Sequence, residues 1–405
     1  MRKIGSAALI AAMAAGSAHA GGIERVAPST RILFEEGNYL ELGWGYLTPD
    51  VSGEVITNNS DLGLVSGSQS GSMLGGYSLP SLAYKHDFGG GFSGMLMYNR
   101  PYGANTRYNS SDPNYFANNN PLEDPENLPP PFTIPADPDI ATANLKTDAI
   151  TAILKYTTDT NISVYGGIRY QRIKANATVP FVLGYSIEAD RTDGWGWMAG
   201  AAWEKPEIAA RIALTYYSEI SHDFDRVRER GYEFVEGSPL PQFYDVITQT
   251  TVKIPQSVML EFQSGVNENT LVFGSIQWTN WGGDYAIAPE KYGEVTGGAA
   301  LDDYQYDSWT YTLGVGRRFN DRWSGALTAA WEPSDGSYRK NLGPRDGYTR
   351  LGAAATYAIG KVEITGGLSY FWIGDTQTAV GALAPATSFT GNTAWAGGLR
   401  LGYRF

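Results

Sequence analysis

The 405-residue chain has no cysteine, only three histidines and 18% charged residues. Without cysteine there is no disulfide, no thiolate metal site and no cysteine nucleophile. Long apolar runs are missing too: after the N-terminus none approaches the roughly 20 residues of a membrane helix, and the mean hydropathy is -0.26. Basic residues are in deficit, 30 Lys and Arg against 42 Asp and Glu, for a net charge of -12. That balance excludes nucleic acid as a partner, because phosphate neutralisation needs clustered cations. Gly-x-Ser-x-Gly, His-Glu-x-x-His and phosphate-loop motifs are absent. No enzymatic activity and no cofactor is therefore expected.

What the chain does have is glycine and aromatic rings: 49 Gly, 26 Tyr, 15 Phe and 11 Trp. Many aromatics and few charges favour strands over helices, and glycine without a fixed period is not collagen. At about 150 residues per domain the length suggests two or three domains, although large all-β folds run longer as single units.

The first twenty residues read as a secretory signal. Arg2 and Lys3 precede an apolar stretch from Ile4 to Ala15, and Ala18-His19-Ala20 is a small-x-small site that predicts cleavage before Gly21.

Beyond it, period-two alternation recurs in segments of about ten residues. Val362, Ile364, Leu368, Tyr370 and Trp372 share one face of 362–372, and Glu363, Thr365, Gly367 and Ser369 the other. Such segments predict strands at 38–50, 78–88, 91–101, 144–157, 160–174, 192–204, 207–219, 249–264, 269–282, 308–319, 321–332, 348–358, 360–373 and 392–405. Very short turns separate them at 88–92, 158–160, 205–206, 266–268, 320 and 360. Long connections lie between, at 51–77, 102–143, 175–191, 220–248, 283–307, 333–347 and 374–391. Alternating short and long connections belong to a transmembrane barrel with tight periplasmic turns and long outer loops. Trp44, Tyr46, Trp195, Trp197, Trp203, Trp278, Trp281, Trp323, Trp331, Trp372, Trp395 and Tyr403 recur near strand ends, where the two membrane interfaces would hold them. A closed barrel satisfies every backbone group in lipid without apolar helices. The expected fold is thus an all-β, transmembrane antiparallel β-barrel of about 14 strands. Residues 1–20 form the signal, 21–37 a short N-terminal plug and 38–405 the barrel of a multi-pass outer-membrane protein.

Three stretches resemble the FadL-type family of outer-membrane transporters for hydrophobic compounds. They are K-I-P-Q-S-V-M-L-E-F-Q-S-G-V-N-E-N-T-L-V-F-G-S-I-Q-W-T-N-W-G-G at 253–283, D-S-W-T-Y-T-L-G-V-G-R-R-F-N-D-R-W leading into A-A-W-E-P across 307–333, and N-R-P-Y-G at 99–103. The family's Asn-Pro-Ala hatch motif is missing, and A-P-S-T-R-I-L-F-E-E-G-N-Y is similar to a short-hatch variant. The resemblance implies passive inward transport of hydrophobic small molecules, most of all long-chain fatty acids, through a plugged barrel with a lateral opening near the third strand. A monomer surrounded by outer-membrane lipids is expected. A general diffusion porin or structural barrel is the alternative, and a receptor or adhesin role of the loops is compatible with either.

Candidate residues follow. L-P-P-P-F-T-I-P at 128–135 is a stiffened apolar loop tip, so Leu128, Pro130, Phe132 and Ile134 are either an outer capture groove or an ordinary loop cap. Lys155, Arg169, Arg211 and Arg318 face inward and could bind a carboxylate or join structural Arg–Glu ladders. Pro101 either kinks its strand or ends it at the rim, and Gly94 could permit a bulge; the resemblance places the lateral opening here. Ile32, Leu33 and Phe34 either plug the lumen or begin the first strand. His86 is expected at a periplasmic turn and His222 on an outer loop, on opposite sides of the membrane. Asp302 and Asp303 read as solvated loop charge, and no metal site is expected.

Overall fold

A strand whose side chains alternate between the outer face and the lumen satisfies its backbone only if both edges are paired, and fourteen strands here achieve that by closing on themselves. The computed structural model describes residues 23–109, 112–119, 140–238, 240–282, 285–381 and 383–405. The barrel strands are β1 (Tyr39–Asp50), β2 (Tyr77–Gly89), β3 (Phe92–Asn99 and Gly103–Arg107), β4 (Thr142–Thr157), β5 (Ile162–Val179), β6 (Tyr185–Lys205) and β7 (Ala210–Tyr217 and Ile220–Glu233). They continue with β8 (Gln242–Ile254 and Ser257–Asn267), β9 (Thr270–Thr279), β10 (Ser308–Arg318), β11 (Trp323–Glu332), β12 (Tyr348–Ile359), β13 (Val362–Ile373) and β14 (Thr393–Arg404). Each pairs antiparallel with its neighbours, and β14 closes on β1 from Tyr39↔Arg404 to Asp50↔Thr393.

The outer face carries two aromatic girdles. The upper includes the ring pairs Tyr170–Trp195, Trp197–Tyr216, Tyr311–Trp331 and Tyr370–Trp395. The lower includes Phe92–Tyr156, Trp323–Tyr357 and Tyr403–Phe405. Exposed aliphatics such as Leu96, Leu154, Ile168, Leu327, Leu368 and Leu399 lie between them. Trp323 and Trp331 are about 26 Å apart along their strand, which tilt reduces to roughly 20 Å of height. No helix among the described residues is long and apolar enough to cross a membrane.

Two connections expected to be long are short. β5 and β6 meet across 180–184, and β7 and β8 across 234–241, because the strands run far above the upper girdle. In this collar the alternation is inverted. Ile173, Ala177, Ile187, Ala189, Phe224, Val227 and Val252 are buried inward, and Arg172, Lys174, Glu188 and Arg228 face out. Strand alternation thus persists while the wet side changes. The girdle itself excludes Trp281, which is fully buried among outer-loop residues Tyr285 and Tyr304.

Candidate functional site

Residues 23–38 run inside the barrel. Their one regular turn is a 3-10 helix, Arg31–Phe34, and Leu33 is 0% exposed, packed with Ile32 among Tyr39, Met95, Ile153, Tyr165, Met198 and Met259. Isolated charges would be costly here, and they occur in networks. The Arg31 guanidinium donates to both Glu41 oxygens, at 2.7 and 2.6 Å, and pairs with Glu35 at 3.3 Å. Arg400 reaches Glu41 at 3.3 Å, and Arg404 bridges Glu35 and Glu363. Ser29 and Thr30 donate to Glu261 from the facing wall. The Lys85 ammonium caps the segment by donating to the carbonyls of Glu35 and Gly37, at 2.7 and 2.9 Å. The segment therefore touches β1, β2, β8, β13 and β14, which fixes its position in the lumen.

Two of the candidate cations meet this segment. Phe34 lies under the Lys155 ammonium at 4.5 Å and the Arg211 guanidinium at 4.4 Å, with Tyr165 edge-on at 5.9 Å. Arg169 sits higher, over the Tyr217 ring at 5.2 Å. Arg318 is at the short-turn end of its strand, outside this cluster, donating to the Glu268 carbonyl and the Asn269 side chain.

The ladder between β2 and β3 is interrupted. Their ladder stops at Leu82↔Tyr98, and the same register carried upward would set Pro80 against Arg100 and Leu79 against Pro101. Proline supplies no N–H, so both edges lose donors at this level. β3 breaks at residues 100–102 and resumes at Gly103, where its register with β4 has shifted by one residue, from Asn99↔Ala149 to Gly103↔Lys146. The break is stitched from other directions. Thr147 exchanges two hydrogen bonds with the Tyr102 backbone. Inside, the Arg25 and Val26 N–H groups donate to the Pro101 carbonyl, and the Gly103 N–H donates to the Ile23 carbonyl. Arg25 stands in the gap itself, its guanidinium 4.0 Å from the Tyr77 ring centroid. A Cβ at Gly103 would lie 2.4 Å from that guanidinium carbon, so a side chain there would push the arginine from this position. Gly94, by contrast, is in regular register with His86 and Leu154, without a bulge. Pro80 carried a sequence signal, a proline inside an alternating run, that pattern reading of the third strand alone passed over.

Above the N-terminal segment the collar surrounds a cavity of about 120 Å³. Its lining is chiefly apolar, including Leu47, Leu74, Ile173, Ile187, Phe224 and Leu301, with Arg25, Asp302 and Arg345 as its charged members. A second cavity lies lower, between the plug segment and the wall, and includes Arg31, Glu41, Arg211, Glu261 and Arg350. The pocket at the gap adjoins the upper one: Arg25, Tyr77, Ala104, Asn105, Asn144 and Ile173 line both.

Asp302 is not the solvated charge expected of a loop. It pairs with Ile287 in a two-residue ladder and lines the cavity, with its carboxyl 3.4 Å from the Tyr285 hydroxyl. Burial, and then the neighbouring Asp303, push its pKa up to about 7. His222 is likewise in a strand and not in a loop, buried and 2.8 Å from Gln171. His86 is near the lower end of β2, half-buried and 3.0 Å from the Tyr84 hydroxyl. Among the described residues no group of three or more acidic or histidine side chains could hold a metal ion. Leu128, Pro130, Phe132 and Ile134 lie outside the described residues, as does the leader expected at 1–20.

No known protein family and no curated protein matches the sequence. Solved structures do match the fold. The toluene transporter TodX of Pseudomonas putida aligns with TM-score 0.61 at 13% identity, over 91% of this chain and 90% of its own. The toluene transporter TbuX of Ralstonia pickettii aligns with TM-score 0.55 at 14% identity, over 92% and 90%. The monoaromatic hydrocarbon channel CymD aligns with TM-score 0.54 at 13% identity, over 91% and 89%. At these identities the likeness establishes a shared barrel architecture.

Proposed function

We propose that this protein is an outer-membrane channel for small hydrophobic compounds, which diffuse into the collar cavity and leave sideways into the membrane between β2 and β3. One observation carries the reading: the interrupted ladder adjoins the apolar cavity at the height where the outer face changes from charged to apolar. Straight passage would cross the ion-paired layer around Arg31, Glu41 and Arg400, where an apolar solute gains nothing. A lateral path keeps it on apolar surface. Ile32, Leu33 and Phe34 close the way down, and Arg25 is the side chain that a solute must displace in the gap. The leader at 1–20 directs export, and the barrel acts as a monomer.

A neutral ligand such as an aromatic hydrocarbon suits the cavity, whose Asp302 and Arg345 lie amid apolar walls. The names of the structural neighbours point the same way. Long-chain fatty acid is the second reading, favoured by Arg169 and Arg211 on the lower cavities. Reconstitution separates the readings: labelled toluene and labelled oleate are offered to proteoliposomes while ion conductance is recorded. Toluene uptake with little conductance is expected. Oleate uptake alone would favour the second reading, and large conductance without either would mark a diffusion porin.

A further inference from the structure

Above the upper girdle, the outer wall from β3 to β6 gathers Arg100, Lys146, Arg172, Lys174 and Arg191 around the mouth of the gap. Lys146 and Lys174 are register partners on β4 and β5. Like charges directly opposite in a sheet are destabilising, and in a chain where acids outnumber bases 42 to 30 that arrangement calls for an anion. Acidic neighbours are few. Arg100 pairs with Asp148 at 3.0 Å, and Tyr98 also donates to Asp148; Asp190 and Asp193 flank Arg191 on β6. Among the described residues Arg100 is the one member of the five in an ion pair, and Arg172 donates to the Tyr170 hydroxyl at 2.8 Å. Directly below, Tyr98 and the exposed Ile150 and Ile168 present apolar surface.

Cations over an apolar wall at the membrane interface match an amphiphile with an anionic head and several acyl chains. We propose that this cluster binds the phosphate groups of a phosphorylated glycolipid of the outer leaflet, holding its acyl chains against the wall beside the lateral gap. The site rests on the reading of the barrel as membrane-spanning, and not on the identity of the transported solute. Lys146 and Lys174 would contact phosphate from two strands, and Arg191 from a third, across the β5–β6 register shift between Ile173 and Ala175. Their mutual repulsion then becomes attraction to a shared anion.

The test uses full-length protein in neutral detergent and three probes: bisphosphoryl lipid A, the same lipid with its phosphates removed, and inorganic phosphate. Native mass spectrometry counts bound lipid. Retention of bisphosphoryl lipid A is expected, with the dephosphorylated lipid bound about 100-fold or more weakly, and with no displacement by millimolar inorganic phosphate. The K146Q/R172Q/K174Q/R191Q variant alters only exposed side chains, and heat-modifiable migration checks that it folds; it should lose the same preference. Equal binding of both lipids, or undiminished binding by the folded variant, would overturn the proposal, and displacement by inorganic phosphate would reassign the site to the free ion. Lipid retention by a wild-type protein that takes up no apolar solute would refute the transport reading and leave this site standing.

Discussion

The barrel wall is built twice, once within the girdles and once in the collar, and the two parts have opposite polarity. Within the girdles Leu327 and Leu368 face out and Glu41, Lys85 and Arg400 face in. In the collar Ile173, Ile187 and Phe224 face in, and Arg172, Lys174 and Arg228 face out. The same backbone alternation serves both, because each face answers to what it touches: lipid or water outside, an ion-paired plug or an apolar cavity inside. The two apolar surfaces exchange sides near residues 99–103, where β3 breaks and its ladder with β2 has ended. That coincidence is what makes a sideways route for an apolar solute physically sensible.

The comparison can be broken first where it is most heavily charged. Arg31→Ala leaves Glu41 and Glu35 buried with fewer partners, and a loss of about 3–5 kcal/mol is expected, read as a lowered denaturation midpoint and raised ion conductance. Next comes the wall: Leu327→Arg, midway between Trp323 and Trp331, should cost about 2–4 kcal/mol in bilayers. An arginine introduced at an exposed, outward position of the collar, Gln249→Arg on β8, should stay within about 0.5 kcal/mol. Equal costs at the two positions would contradict the polarity inversion. Phe34→Ala removes contacts with two cations and one ring, worth about 2 kcal/mol, and should loosen the plug without altering the wall; leak of small solutes is the readout.

The smallest effect is pH-dependent. An acid whose pKa is raised on folding stabilises the native state below its unfolded pKa, and that contribution is lost as pH climbs through the folded value. For Asp302, raised to about 7 by burial, stability should decline between about pH 4 and pH 7 by an amount that Asp302→Asn abolishes. An unchanged slope in the variant would show that the carboxyl is solvated.

Much of this was legible in the chain. Trp323, Leu327 and Trp331 announce their strand by period two, and Pro101 announces a broken one. The upper halves of β5 to β8 were not legible as strands, because Lys174, Glu188 and Arg228 read as loop residues when apolar outward faces are the criterion. Only the inward set, from Ile173 to Val252, reveals them, and its pairing is long-range. Lys155 and Arg211 were legible as inward cations, but their shared partner Phe34 comes from over a hundred residues earlier. Pro80 and Arg25 needed the third dimension too, since neither is near Pro101 in sequence. Gly103 marked the neighbourhood, and the arginine packed against it could not be named from pattern.

The central claim is that apolar solutes leave between β2 and β3. The chain has no cysteine, so thiols can be placed at Ser78 and Ala104, which both line the gap, and joined by a cleavable bifunctional reagent. Toluene uptake by proteoliposomes should fall to the protein-free rate when the reagent spans the gap and return when it is cleaved. Undiminished uptake through the joined wall would contradict the lateral route.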